Sequence, residues 1–320
     1  MARRFHNQYT RSSTSFKRLL KWRFGFIDEP FALFDGKGEA YVHSVVKPNF
    51  EAINKPQQDA IQVTWVGHTT FLLQVAGVNF LTDPHFSKRA SPLQWLGPKR
   101  MIAPALALED LPHIDMVVIS HDHYDHLDLE TVKKLGNAPH YAVPLGLKKW
   151  FSNIGITNVV ERNWWESFEY HGLTLTAVPV QHFSGRVPFR FNQTLWSGWV
   201  IEGGGKKIFF GGDTGYSKHF HEIYERFGPM DLSLLPIGAY HPRTLMKTVH
   251  VDPREAVEAH KDLHSKQSIG MHWGTFRLTT EPTGEPPAYL NKVLEEEGLS
   301  KEDFRTLSFG ETFTQGPVKA

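Results

Sequence analysis

The segment that most constrains this chain is Ile119-Ser120-His121-Asp122-His123-Tyr124-Asp125-His126-Leu127-Asp128. Three imidazoles and an inner carboxylate fall within six residues, directly after the apolar run 116–119. A buried strand that ends in a loop can turn all four side chains into one cavity. Imidazole with carboxylate is the donor set that a borderline divalent ion such as zinc takes. A solvated polar loop is the alternative, but an alternation this dense, placed straight after a strand-like run, fits a ligand loop better. Four donors also exceed the three protein ligands usual for one catalytic zinc. The segment therefore predicts two metals, with further ligands elsewhere in the chain.

Composition narrows the ligand types. There are 18 histidines and no cysteine, so thiolate sites and disulfides are excluded and a metal must be held by His, Asp, Glu or backbone oxygen. A chain of 320 residues, 40% of them hydrophobic, suffices for one large α/β domain or two small ones. The formal net charge of +1 supplies no global field for nucleic acid, and none is expected as a partner. No apolar run approaches the ~18–20 residues that span a bilayer. Residues 1–27 carry Arg3, Arg4, Arg11, Lys17, Arg18, Lys21 and Arg23 with no acid. A solvated tail, a transit-like segment and an arm touching anionic lipid all fit that composition.

Residues 30–56 are aromatic and punctuated by proline, and read as an irregular wrap. The expected division is a basic arm and wrap over 1–60 and one domain over 61–320. Strands are predicted at 63–66, 70–75, 78–82, 116–120, 141–144, 159–161, 173–180, 197–202, 206–210, 232–236, 268–272 and 304–309. Helices are predicted at 129–135, 146–153, 218–227, 253–264 and 287–297, the fourth opened by Asp252 as N-cap with Pro253 in its first turn. Residues 86–108 form a long Pro-, Gly- and base-rich loop, a length that usually serves function. Strand meanders separated by helices indicate layered α/β, with room for two half-domains of similar layout.

In chain order, the polar residues at strand ends are His121, His123, Asp125, His126, His182, Asp213 and His272. Each of the last three follows an apolar run, and glycines beside Asp213 let backbone and metal approach closely. Singly such histidines are ordinary, but their shared context is the one a dinuclear site requires. Asp83, at another strand end, either orients a ligand imidazole or caps the turn before Pro84. His260 and His264, four apart on a predicted helix, are expected as a surface pair. Phe183, Phe189, Phe191, Trp196, Trp95 and Leu96 read as core packing or the lining of an acyl groove.

The His-x-His-x-Asp-His pattern at 121–126 resembles the signature of the metallo-β-lactamase superfamily. Within it the chain is similar to the N-acyl-phosphatidylethanolamine-hydrolysing phospholipase D family. That likeness rests on Val66-Gly67-His68-Thr69-Thr70, Leu81-Thr82-Asp83-Pro84, Gly97-Pro98-Lys99-Arg100, Gln181-His182, Gly212-Asp213-Thr214-Gly215-Tyr216, Pro236-Ile237-Gly238-Ala239-Tyr240, His250-Val251-Asp252-Pro253 and His272-Trp273-Gly274-Thr275-Phe276. It runs in unbroken order from Ile61 to Gly310, whereas residues before Ile61 do not clearly match.

The resemblance implies a four-layer αββα sandwich and two zinc ions, iron or manganese being the alternatives. His121, His123 and His182 would hold one ion, Asp125, His126 and His272 the other, and Asp213 would bridge them. A hydroxide between the ions would be the nucleophile, with Asp122, Tyr240 and His250 as helpers. Asp122 departs from the animal enzyme's pattern, which has Asn there. The implied reaction is phosphodiester hydrolysis of the phospholipase D type on N-acyl-phosphatidylethanolamine or a related glycerophospholipid. Hydrolysis of a carboxylic ester, lactone or thioester is the alternative with the same metals, and a metal-stabilised membrane-binding or regulatory protein the non-enzymatic one. Expected partners are a phospholipid substrate, a membrane surface contacted peripherally and a second copy in a homodimer. The expected location is the cytoplasm or a membrane surface, or an organelle reached through the basic arm.

Overall fold

A computed structural model describes residues 4–9, 29–33, 42–186 and 190–316. The first sheet comprises β1 (Ile61–Gly67), β2 (Thr70–Val75), β3 (Val78–Thr82), β4 (Met116–Val118), β5 (His140–Pro144) and β6 (Val159–Arg162). The second comprises β7 (Ser167–Tyr170), β8 (Leu173–Val178), β9 (Gly198–Gly203), β10 (Lys206–Phe210), β11 (Leu232–Pro236), β12 (Gln267–Met271) and β13 (Phe304–Thr306). A last strand, β14 (Thr312–Gln315), returns to the free edge of β1, so each sheet has seven strands. In both sheets an antiparallel meander leads into parallel pairs: β3–β4–β5–β6 in one, β10–β11–β12–β13 in the other. The two halves thus share one layout.

The helices are α1 (Phe50–Asn54), α2 (Leu129–Leu135), α3 (Lys148–Asn153), α4 (His219–Phe227), α5 (Arg243–Met246), α6 (Pro253–Asp262) and α7 (Glu285–Glu296). Period-2 alternation assigns the layers. Val63, Trp65, Phe71, Leu73, Phe80, Met116 and Val118 join the core that contains Leu175, Trp199, Val200 and Phe209 of the second sheet. Their neighbours Val66, Leu72, Leu81 and Val117 face the other way, onto Val132 of α2 and Phe151 of α3. Helix α6 lies on β11 and against α7, with Ala256, Val257, Leu290 and Val293 buried. The order is helix, sheet, sheet, helix, an αββα sandwich. Each large apolar side chain buried this way contributes roughly 1.5–3 kcal/mol.

The loop at 86–108 has no strand or helix apart from isolated bridges until a single 3-10 turn begins at Leu108, and it is tied to the 120–128 loop through Asp128. That carboxylate accepts from Phe86 N (3.3 Å), Ser87 N (3.0 Å), Ser87 Oγ (2.8 Å) and Thr131 Oγ1 (2.5 Å). Asp252 caps α6 as expected, accepting from Glu255 N at 2.9 Å. Helix α1, with Ile53 fully buried, interrupts the stretch expected to be irregular. Helix α6 stops at Asp262, so His260 and His264 are not a surface pair: His260 is buried on Ser268 Oγ at 2.8 Å and His264 is exposed beyond the helix. Among the described residues no helix is long and apolar enough to cross a membrane.

Candidate metal centre

Parallel strands place their C-terminal ends on one edge, and the site is built there. His68 follows β1, Asp83 follows β3, the 120–128 loop follows β4, His182 lies beyond β8, Asp213 beyond β10 and His272 directly after β12. Three of these leave their strands in left-handed backbone: His68 at φ 57°, Asp83 at 34° and His272 at 63°. Such conformations cost of order 1–3 kcal/mol for a side-chain-bearing residue and persist where the surroundings enforce them. Here they turn the side chains sharply into the edge.

Two clusters result. In the first, His123 Nδ1 lies 2.8 Å from His121 Nε2 and 3.2 Å from His182 Nε2. Two of the outer nitrogens are fixed: His121 Nδ1 is 2.9 Å from Ser120 Oγ, and His182 Nδ1–H donates to Val249 O at 2.9 Å. That leaves lone pairs pointing inward. Nitrogens about 2.0–2.1 Å from a tetrahedral zinc lie about 3.3 Å apart, close to this spacing. Burial keeps the imidazoles neutral, His123 with a pKa lowered to about 4 and His182 to about 3.

The second cluster is His68, Asp125, His126 and His272, with ligand atoms all within 4.8 Å of one another. Asp125 Oδ2 is 3.0 Å from His68 Nε2 and 3.3 Å from both His126 Nε2 and His272 Nε2. Asp213 stands between the clusters. Its carboxylate is 3.1 Å from His126 Nε2, 3.2 Å from His272 Nε2, 3.7 Å from His182 Nε2 and 3.9 Å from His121 Nε2. Burial would raise the Asp125 and Asp213 carboxyls, yet the facing His126 charge holds both well below the usual range. Burial would likewise lower His126, and the Asp213 and Asp125 charges instead hold it well above 6.5.

These residues fit a metal on their own geometry. Among the described residues, buried His126 Nε2, His272 Nε2 and Asp213 Oδ1 find no hydrogen-bond partner although the ion-pair distances are short. Donors and acceptors crowded together but not aligned on one another are what a shared cation would satisfy. Outside the ring, Asp83 is fully buried and accepts from Ser120 N (2.7 Å), Ser120 Oγ (2.5 Å) and His126 Nδ1 (2.7 Å). It takes His126 Nδ1 and so turns Nε2 toward Asp213 and Asp125, the arrangement that its first expected role, orienting a ligand imidazole, would need.

Of the three expected helpers, only His250 is at the centre, its Nδ1 3.9 Å from Asp213 Oδ2 and its ring 5.1 Å from that of His182. Tyr240 is turned elsewhere: its buried hydroxyl donates to Glu285 Oε1 at 2.6 Å. Asp122 also points away, accepting from Gly185 N (2.7 Å) and Thr194 Oγ1 (3.1 Å), and so orders the loop after His182. Sequence reasoning leaves His68 unassigned, and the structure brings it into the second cluster; a histidine after a glycine at a strand end inside a matching stretch is the signal for it. Among the apolar candidates Trp196 is core, Phe183 lies on the His123 and His182 rings (4.5 and 4.8 Å), Phe191, Trp95 and Leu96 are exposed, and Phe189 is outside the described residues.

Comparison with known proteins agrees with this architecture. Residues 78–273 match the β-lactamase superfamily domain. The chain belongs to the metallo-β-lactamase superfamily. It is 43% identical over 285 residues to N-acyl-phosphatidylethanolamine-hydrolyzing phospholipase D 1 of Caenorhabditis elegans, covering 84% of this chain and 79% of that protein. A mitochondrial N-acyl-phosphatidylethanolamine-hydrolyzing phospholipase D of Saccharomyces cerevisiae is 36% identical over 254 residues, 76% of this chain, which spans about half (53%) of that protein's length. The solved metallo hydrolase Igni18 of Ignicoccus hospitalis shares the fold, with a TM-score of 0.61 at 24% identity over 81% of this chain and 99% of that one. By this membership, and with a His/Asp cluster able to hold metal, the chain is a metal-dependent hydrolase.

Proposed function

We propose that residues 61–320 form a dinuclear zinc phosphodiesterase that cleaves a glycerophospholipid, N-acyl-phosphatidylethanolamine or a near relative, on the phospholipase D side of its phosphorus. The observation that carries this reading is Asp213, whose Oδ2 reaches histidines of both clusters at 3.1–3.9 Å. One ion would be held by His121, His123 and His182, the other by Asp125, His126 and His272 with His68 at its edge, and Asp213 would serve both. Bound metal would supply Lewis acidity and a hydroxide near neutral pH, which an anionic diester would otherwise repel. The names of the worm and yeast relatives support the substrate class.

The chain's own residues set orientation and proton traffic. Asp83 and Val249 O hold the Nδ1 protons of His126 and His182, so their Nε2 lone pairs face the cavity. His250 is half-buried, and the loss of solvation lowers its pKa to about 3, so at neutral pH it offers one N–H and one lone pair. Its Nδ1 has no hydrogen-bond partner among the described residues. It is the group in place to donate to a phosphoryl oxygen or to the departing alkoxide. At the tip of the 86–108 loop, exposed Leu93, Trp95 and Leu96 stand between exposed Lys88 and Lys99, which supports peripheral contact with an anionic lipid surface. A homodimer, and a cytoplasmic, membrane-surface or organellar address, belong to the same proposal and are checked by sedimentation and cell fractionation.

The deciding experiment incubates the zinc-loaded protein with a lipid panel and identifies both products by mass spectrometry. Water added across the phosphorus–oxygen bond gives phosphatidic acid and an N-acylethanolamine. Release of fatty acid, or lactone cleavage without phosphodiester turnover, would establish the carboxylic ester reading instead.

A further inference from the structure

The arm at 4–9 reaches the metal centre through one side chain. Asn7 Nδ2 donates to His182 O at 2.8 Å, and His182 N donates back to Asn7 Oδ1 at 3.2 Å. A single carboxamide thus pairs with both backbone groups of His182, as a neighbouring strand would. It does so beyond the end of the ladder: β8 stops at Val178, and Gln181 is held by a bridge to Gly215 and by its N–H donating to Thr214 Oγ1 at 3.0 Å. The buried Trp196 fixes the amide from behind, its Nε1 donating to Asn7 Oδ1 at 3.0 Å. On either side the arm is tied down by Phe5 N to Asn192 O (2.8 Å) and by Tyr9 to Glu222.

We infer that Asn7 is a positioning residue for the metal cluster formed by His121, His123 and His182. The inference rests on the metal reading above. His182 is the member of that cluster contributed by the second sheet, and its ring is fixed through Nδ1 to Val249 O. Its backbone is fixed by Asn7. With both ends held, Nε2 has one place to be; with the backbone released, the loop from 181 to 185 can shift and carry Nε2 with it. Only a side chain offering a donor and an acceptor on one planar group makes both contacts at this reach, so asparagine is specified rather than merely tolerated. Residues 4–9 are on this account part of the metal site and not an appendage to it.

The test uses the full chain loaded with zinc, diluted into excess of a chromogenic chelator, with the release of the two ions followed in time and the bound stoichiometry read by native mass spectrometry. Outer contacts to metal ligands are typically worth 10–100-fold in metal affinity, so Asn7→Ala is expected to accelerate one release phase by about that factor and leave the other unchanged. Asn7→Asp, a change of one group, keeps the acceptor for His182 N and Trp196 but sets a carboxylate oxygen against His182 O. It is expected to behave like Asn7→Ala, and it carries the test if the alanine variant folds poorly. Tyr9→Phe, which frees the arm from Glu222 and spares Asn7, is expected to release both ions at the wild-type rates. Wild-type release from both Asn7 variants overturns the inference. So does equal acceleration of both phases with a lowered thermal midpoint, the mark of general destabilisation. Zinc release needs no substrate, so a chain that holds two ions yet cleaves no phosphodiester refutes the substrate reading and leaves this one standing.

Discussion

Asp83→Asn alters one atom at a position that no substrate would touch, and the structure sets its consequence. The carboxylate takes three hydrogen bonds: Oδ1 from Ser120 N at 2.7 Å, and Oδ2 from Ser120 Oγ at 2.5 Å and His126 Nδ1 at 2.7 Å. Ser120 N must donate, so the asparagine oxygen is committed to the Oδ1 place and its NH2 falls where Oδ2 was. Ser120 Oγ can reverse and accept. His126 Nδ1 cannot keep its proton against an N–H donor, so the proton moves to Nε2. That is the nitrogen 3.1 Å from Asp213 and 3.3 Å from Asp125, the one required as a lone pair. The expected cost is about 10–100-fold in the affinity of one zinc, or about 1.4–2.8 kcal/mol at about 1.4 kcal/mol per decade. Turnover should fall with it and KM should change little, because nothing that would bind substrate has moved. Zinc competition against a calibrated chelator reads the affinity directly. If Asp83→Asn binds both ions as the wild type does, the tautomer argument fails and Asp83 is only the cap of the turn before Pro84.

Other outcomes follow from the same geometry. His68→Ala removes the nitrogen 3.0 Å from Asp125 Oδ2 and should weaken only the ion held with His126 and His272, seen as one zinc lost by elemental analysis. Asp122→Asn should change stability by less than about 1 kcal/mol and leave kcat intact, since Thr194 Oγ1 can accept where it now donates; a large loss of kcat would restore Asp122 as a proton-transfer group. Gly212→Ala sets a Cβ 2.4 Å from Ser120 Cβ at φ +56°, wedging the Asp213 turn from the 120–128 loop; overpacking of this kind costs about 1–3 kcal/mol and should appear as a lower denaturation midpoint together with lost zinc. In metal-free protein, burial would lower His272, but the Asp213 and Asp125 carboxylates outweigh it and raise its pKa to about 9. A histidine raised on folding stabilises the fold fully below its unfolded pKa of about 6.5, and that contribution is lost as pH rises through about 9. The denaturant midpoint of the metal-free protein should therefore fall between these values, while that of the zinc-loaded protein stays flat because the ion replaces the proton. Parallel pH profiles would contradict this account.

What the sequence makes legible here follows from where its information is dense. Strands that are largely buried, such as Thr70–Val75, Val78–Thr82, Lys206–Phe210 and Leu232–Pro236, are recognisable to the residue because their apolar runs end at or just before glycine or proline. The strands that escape notice are Ser167–Tyr170 and Thr312–Gln315, both at sheet edges, where no residue is buried and no apolar face exists to announce them. The same reasoning explains His260, whose partner Ser268 is on another element: helical spacing predicts its neighbours along the chain, not the strand that covers it.

The site divides in the same way. Crowded donors betray His121, His123, Asp125 and His126, and strand ends betray His182, Asp213 and His272. His68 and Asn7 are isolated in sequence, and their roles arise from a turn at positive φ and from an arm folded back across more than half the chain. Tyr240 and Asp122 show the converse. Both sit in stretches that match the family, yet one hydroxyl is spent on Glu285 and one carboxylate on Gly185 and Thr194. A matched segment locates a residue in the fold; the hydrogen bonds of its side chain decide whether it is free to act. By that criterion His250 is the proposed partner for substrate, half-buried beside Asp213 with Nδ1 unpartnered among the described residues. His250→Gln keeps a donor there and His250→Phe does not. Restoration of turnover by glutamine alone would assign His250 to hydrogen bonding at the phosphoryl group; equal loss in both, with zinc retained, would assign it to proton transfer.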